Sequence, residues 1–289
     1  MDLLKTSNNT GMELYHDVCE RCSKMITSKY STSFSLGILA LSRNMRSHIR
    51  NIYAFVRFAD EIVDTFHEYD KRQLLLLFRN DTYRALEQKI SFNPVLHAFQ
   101  STVNHYQIDL NLIDAFLDSM EMDIDYRSYQ NDSFDQYIYG SAEVVGLMCL
   151  KVFCEGNEAM YKKLLEPARK LGAAFQKINF LRDLKSDWQE RGRIYFPNVD
   201  LVNNFDLRLK KQIEADIEND FRDALDGIRQ LPTQSKFGVY VAYIYFYALL
   251  QKINKMEPKK IMEQRIRVSN PEKIYLLASG YLKFRLNKI

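Results

Sequence analysis

An all-α fold is predicted by three observations on the 289-residue chain. Helix breakers are scarce: there are 10 glycines, and 6 prolines scattered singly at 94, 167, 197, 232, 258 and 271. So few breakers favour long helices over many short strands and turns. Apolar residues recur at three- and four-residue spacing in most of the chain, the period of a helix with one buried face. No alternating apolar-polar run interrupts them, so no strand is predicted.

The helical stretches follow in order, with ends soft by a few residues. The first, about 12–30, contains MELYHDVCERCSKMI. After a break at KYSTSFSLG, the stretch 44–66 carries IYAFVRFADEIVD. Stretches at 70–90 and 93–106 come next, and 110–129 shows the period plainly in Leu112, Phe116 and Met120. Then come 133–154, 157–190, 206–230, 235–255 and 271–287. Within 235–255, the run FGVYVAYIYFYALL (Phe237 to Leu250) is uncharged and carries four tyrosines. It is too short to cross a bilayer and reads as a buried helix lining something large. Residues 1–11 read as a frayed N-terminus and 12–289 as one domain. No linker, low-complexity block or solenoid-period repeat divides them.

Composition bounds the function. The chain is 46% hydrophobic and 27% charged, enough for a sizeable globular core. A net charge of +3 is too weak to argue for nucleic acid, and is compatible with transient contact to an anionic membrane surface. Cys19 and Cys22 form a CxxC inside a helical stretch, with no second CxxC and no His pair at ligand spacing. Free thiols, together with Cys149 and Cys154, are expected rather than zinc. No basic segment followed by an apolar run opens the chain, so a cytoplasmic protein is expected. Oligomeric state is left open.

Two carboxylate pairs carry the chemistry. In YAFVRFADEIVD, Tyr53, Arg57, Asp60 and Asp64 sit at relative positions 0, 4, 7 and 11, on one helix face. In QKINFLRDLKSD, Gln176, Asn179, Asp183 and Asp187 sit at 0, 3, 7 and 11, again one face. Like charges four apart on a helix repel. One such pair is common on a solvated face; two, each with its own amide or cationic extension, point instead to a bound cation. Asp and Asn oxygens suit Mg²⁺, which commonly joins carboxylates to substrate phosphates. Ser31, Ser33 and Ser35 lie at the KYSTSFSLG break, where hydroxyls and free N–H groups either bind phosphate or cap the next helix. Arg191 and Arg193 follow the second pair, placed either for bidentate phosphate contact or as surface charge at a helix end.

On these residues the chain resembles the squalene/phytoene synthases, the head-to-head prenyl transferases. The matching pieces are YSTSFSLG, YAFVRFADEIVD, YIYGSAEVVGLMCL and QKINFLRDLKSDWQERGRIYFP. The likeness runs from about residue 12 to the C-terminus. It implies the isoprenoid synthase fold, a single-domain helical bundle around a central apolar cavity. It implies that Asp60, Asp64, Asn179, Asp183 and Asp187 bind metal, Mg²⁺ with Mn²⁺ as a substitute. It implies diphosphate contacts from Ser31, Ser33, Arg57, Arg193 and Arg265, and a reacting centre lined by Phe34, Tyr53, Tyr139, Gln176 and Tyr245. Many relatives carry an extra acid just before the last Asp of the second motif; here Ser186 stands there, and both Asp-x-x-x-Asp frames survive.

The implied reaction ionises one prenyl diphosphate, joins the allylic cation to the alkene of a second, and passes through a cyclopropylcarbinyl diphosphate to a linear hydrocarbon. FLDSMEMD and RVSNPEKIYLL look most like bacterial phytoene synthases. That implies two geranylgeranyl diphosphates, prephytoene diphosphate and phytoene, the entry to carotenoids, without NADPH. Two farnesyl diphosphates, giving dehydrosqualene or squalene, are the alternative. A terpene cyclase and a non-catalytic scaffold are the readings outside this reaction. The apolar product implies peripheral contact with the inner face of the cytoplasmic membrane. An empty acid pair is also expected to strain the metal-free protein.

Overall fold

A computed structural model describes residues 11–124, 131–197, 199 and 205–289. Residues 1–10, where fraying was expected, and the end of the 110–129 stretch beyond Ile124 lie outside the described residues. The elements are α1 (Gly11–Tyr30), α2 (Thr32–Leu39), α3 (Arg43–Asp64), α4 (Lys71–Gln88), α5 (Pro94–Tyr106), α6 (Leu110–Ile124) and α7 (Asn131–Ile138). A π-helical turn (Tyr139–Glu143) leads into α8 (Val144–Phe153). Then follow α9 (Glu158–Arg191), α10 (Leu207–Gln230), α11 (Thr233–Asn254), α12 (Pro258–Ile261) and α13 (Asn270–Arg285). No strand occurs among the described residues.

Side-chain caps set many of the starts. Asp70, Asn93, Asn157, Asp206 and Ser269 each accept a backbone N–H of the first turn of α4, α5, α9, α10 and α13, filling donors that a helix start leaves open. The KYSTSFSLG break is shorter than expected. Ser31 caps α2 by accepting from Phe34 N at 3.2 Å, so the segment after it is a helix of its own.

Two long helices organise the fold. In α3, Met45, Ile49, Ile52, Phe55, Ala59 and Ile62 are buried, one face at helical period, and the acid stripe lies beside it. Phe55 anchors that face, stacked at 3.9 Å on Phe99 of α5 and near Phe78 and Phe116. The 34-residue α9 runs about 51 Å at 1.5 Å per residue and packs against α8, α10, α11, α12 and the π turn. That turn is wedged between α6 and α9 at backbone distance. A Cβ on Gly140 would lie 2.5 Å from the Ala115 carbonyl oxygen, and one on Gly172 would lie 2.7 Å from that of Ala142. π turns often sit at functional sites, and this one feeds Ser141 toward Gln176, whose amide donates to it at 3.3 Å.

Candidate active site

The two acid stripes face the same space. Asp60 and Asp64 from α3, and Asn179, Asp183 and Asp187 from α9, line a polar chamber of about 730 Å³. A second, mostly apolar chamber of about 800 Å³ adjoins it, lined by Leu41, Leu150, Phe153, Leu171, Phe175, Val239 and Leu249 among others. Arg57, Gln176, Asn179, Arg182 and Arg265 line both, so polar groups ring the junction. The joined space is shaped for an anionic head with a long apolar tail.

Each acid with a described partner carries a guanidinium. Arg57 bonds Asp60 at 2.5 Å and also Glu61. Arg193 bonds Asp64 at 2.8 Å. Asp183 is held by Arg265 at 2.7 Å and by Arg182. These arginines offset the like charges of Asp60, Asp64 and Asp183. Among the described residues no three acid, imidazole or thiol groups converge on one point. Asn179 Oδ1 is buried without a partner. An orphaned amide oxygen and carboxylates shared between two walls suit a hard cation bound jointly with a phosphate.

Other expected residues fall as follows. Ser31, Ser33, Phe34, Tyr53 and Tyr245 line the apolar chamber. Phe34 stacks on Tyr53 at 5.0 Å, and the Arg57 guanidinium lies 4.4 Å over Tyr30. Burial pushes the Tyr53 hydroxyl upward, against the opposing pull of Arg57. Tyr245 donates to the Lys273 carbonyl at 3.0 Å. Ser35 is spent on backbone, donating to Ser31 O at 2.6 Å.

Two expected residues lie off the chambers. Tyr139 lines neither chamber; its ring lies 5.4 Å from the Arg169 guanidinium. Two residues are about 200° around a helix, so the face carrying Tyr137 and Ser141 to the chambers turns Tyr139 away. Arg193 also lines neither chamber. Gly192, at φ 66°, ends α9 in the left-handed conformation. It sends Arg193 inward, where its guanidinium also donates to the Asp123 carbonyl at 3.0 Å and sits 3.2 Å from the Tyr195 hydroxyl. Burial opposes its charge, but Tyr195, Asp123 and Asp64 outweigh it and raise its pKa. The Arg191 side chain lies outside the described residues.

Asp123 was missed. It is 5% exposed, lines the polar chamber and accepts from Tyr137 at 2.7 Å. Burial raises its carboxyl to about 7, with Arg193 and Tyr137 pulling it down and Asp64 and Asp60 pushing it up. Its signal was in the sequence: it continues the buried stripe of Leu112, Phe116 and Met120, where an acid needs a purpose.

Fold and chambers define an isoprenoid-synthase helical protein. The chain belongs to the squalene/phytoene synthase family, whose model matches residues 27–272. Phytoene synthase 1 of Solanum lycopersicum is 26% identical, over 94% of this chain and 70% of its own length. The 4,4'-diapophytoene synthase of Staphylococcus haemolyticus is 28% identical over 66% of each. Among solved structures, a dehydrosqualene synthase in complex with ligand superposes with TM-score 0.79 at 20% identity, covering 94% of this chain and 99% of its own.

Proposed function

We propose that the chain joins two prenyl diphosphates head to head, and that its substrates are two geranylgeranyl diphosphates giving phytoene. One observation carries the reading: both acid stripes face one polar chamber that opens into a large apolar one. Phytoene synthases spanning over 90% of this chain support the C40 product. Asp60, Asp64, Asn179, Asp183 and Asp187 would hold Mg²⁺ or Mn²⁺. The bound ions would supply Lewis-acid neutralisation of the leaving diphosphate. Arg57, Arg182 and Arg265 at the junction are placed to bind diphosphate oxygens, and Ser31 and Ser33 to orient them. The apolar wall excludes water that would trap a carbocation, and the Phe34–Tyr53 stack offers aromatic faces to a passing cation.

A second reading on chain length takes two farnesyl diphosphates to a C30 hydrocarbon, since a 4,4'-diapophytoene synthase and a dehydrosqualene synthase are also among the similar proteins. Incubation with each diphosphate plus Mg²⁺, with and without NADPH, followed by mass analysis of the hydrocarbon, decides. A C40 triene-cored product without NADPH supports the proposal; a C30 product alone overturns the chain length.

A further inference from the structure

Helix α13 is apolar on two faces. Its inner face packs on α11: Gly280 is buried against Ile244, and Phe284 lies 5.2 Å from Phe237. Its outer face carries Ile274, Tyr275, Tyr281, Leu282 and, just past the helix, Leu286. These are 67, 70, 48, 61 and 62% exposed. Their spacing puts them on one stripe, with Tyr281 at its edge also meeting Phe237 of α11 edge-on at 5.6 Å. A helical stripe turned to solvent gains nothing from folding alone.

The surrounding charge says what would cover it. Lys283, Arg285 and Lys288 are exposed around the stripe. The single acid from residue 270 onward is Glu272, and it is paired with Lys252. A second copy docked through this face would bring like cations together. An anionic lipid surface would meet them with opposite charge. At 16 residues, α13 is about 24 Å long, shorter than a bilayer core of about 30 Å, which suits a helix lying in the interface. No helix among the described residues is long and apolar enough to cross a membrane.

The stripe also starts beside the apolar chamber. Asn270 and Lys273 line that chamber together with Tyr30 and Thr32, and Lys273 donates to Thr32 at 3.1 Å. We infer that α13 is a docking surface for an anionic bilayer, seating the rim between α2 and α13 against lipid. Its apolar side chains would enter the headgroup boundary, with Lys283, Arg285 and Lys288 on lipid phosphates. The wall of the apolar chamber then adjoins the phase in which a long hydrocarbon dissolves.

Vesicle flotation of the full chain tests this, with phosphatidylcholine alone and phosphatidylcholine mixed with phosphatidylglycerol. The parent is expected to float with the mixed vesicles and much less with phosphatidylcholine. K283Q/R285Q should lower the partition about fivefold per lost cation, and I274E/L282E should abolish it. Both variants change exposed side chains, so circular dichroism and turnover on detergent-dispersed substrate should match the parent. Turnover is a separate readout, so failure of the reaction proposed above is distinguishable from failure of this one. Parent protein that ignores both vesicles, or variants that float as well as the parent, would overturn the inference. So would a parent dimer that I274E/L282E splits while vesicle binding is absent.

Discussion

Replacing Arg193 with Met should reveal how much of the fold hangs on the cluster behind the acid chamber. The Arg193 side chain is 9% exposed and bonds Asp64, itself 16% exposed, at 2.8 Å. It also donates to the Asp123 carbonyl at 3.0 Å. Removing one partner of a buried pair costs about 3–5 kcal/mol, because the other charge keeps its desolvation penalty. At about 2–4 °C per kcal/mol for a domain near this size, Tm should fall by about 6–20 °C. The loss should also depend on pH. Asp123 is held at about 7, above the ordinary aspartate value of about 3.9. Its stabilising contribution is therefore fully present below about pH 4 and lost as pH rises through about 7. Without Arg193 the carboxyl rises further, so the variant goes on losing stability at higher pH. Thermal melts in chelator should show a wider gap between parent and variant at about pH 8 than at about pH 5. A drop under about 3 °C, or a gap that does not change with pH, would refute the reasoning.

Asp60→Ala or Asp183→Ala should cut turnover about a hundredfold or more, the scale of lost preorganised electrostatics; near-normal turnover with Mg²⁺ present would remove the acids from the reaction. Phe55→Ala should cost about 3–5 kcal/mol in urea unfolding, since Phe55 is fully buried against Phe99, while KM stays put. Burial and the neighbouring His105 and His16 lower His48 to about 4. The stability this gives is present above about pH 6.5 and lost as pH falls through about 4. His48→Gln should therefore make the acid limb of a Tm profile shallower, and an unchanged slope would contradict that.

Long periodic helices are legible in the sequence. The stretch 157–190 became Glu158–Arg191 because its period is unbroken and Asn157 and Gly192 mark its ends. The short TSFSLGIL of α2 is not, since an eight-residue run of mixed hydroxyl and apolar residues is too short to show a stripe. The π turn was invisible because a change of hydrogen-bond register leaves no mark in the apolar period. In the site, the two Asp-x-x-x-Asp stripes were legible because spacing alone fixes a helix face. That they share a chamber depends on how α3 and α9 sit across the bundle. The position of Arg193 was not legible for the same kind of reason: where a side chain goes after a left-handed Gly192 is a property of the turn, not of the spacing. The arginines that neutralise Asp60, Asp64 and Asp183 were each visible, but their pairing was not.

Head-to-head joining consumes two prenyl diphosphates for each hydrocarbon made. Measuring diphosphate released against hydrocarbon formed, from geranylgeranyl diphosphate with Mg²⁺, tests it most directly. Two diphosphates per C40 hydrocarbon are expected, falling together in Asp183→Ala. One diphosphate per C20 hydrocarbon, or no release at all, would contradict it.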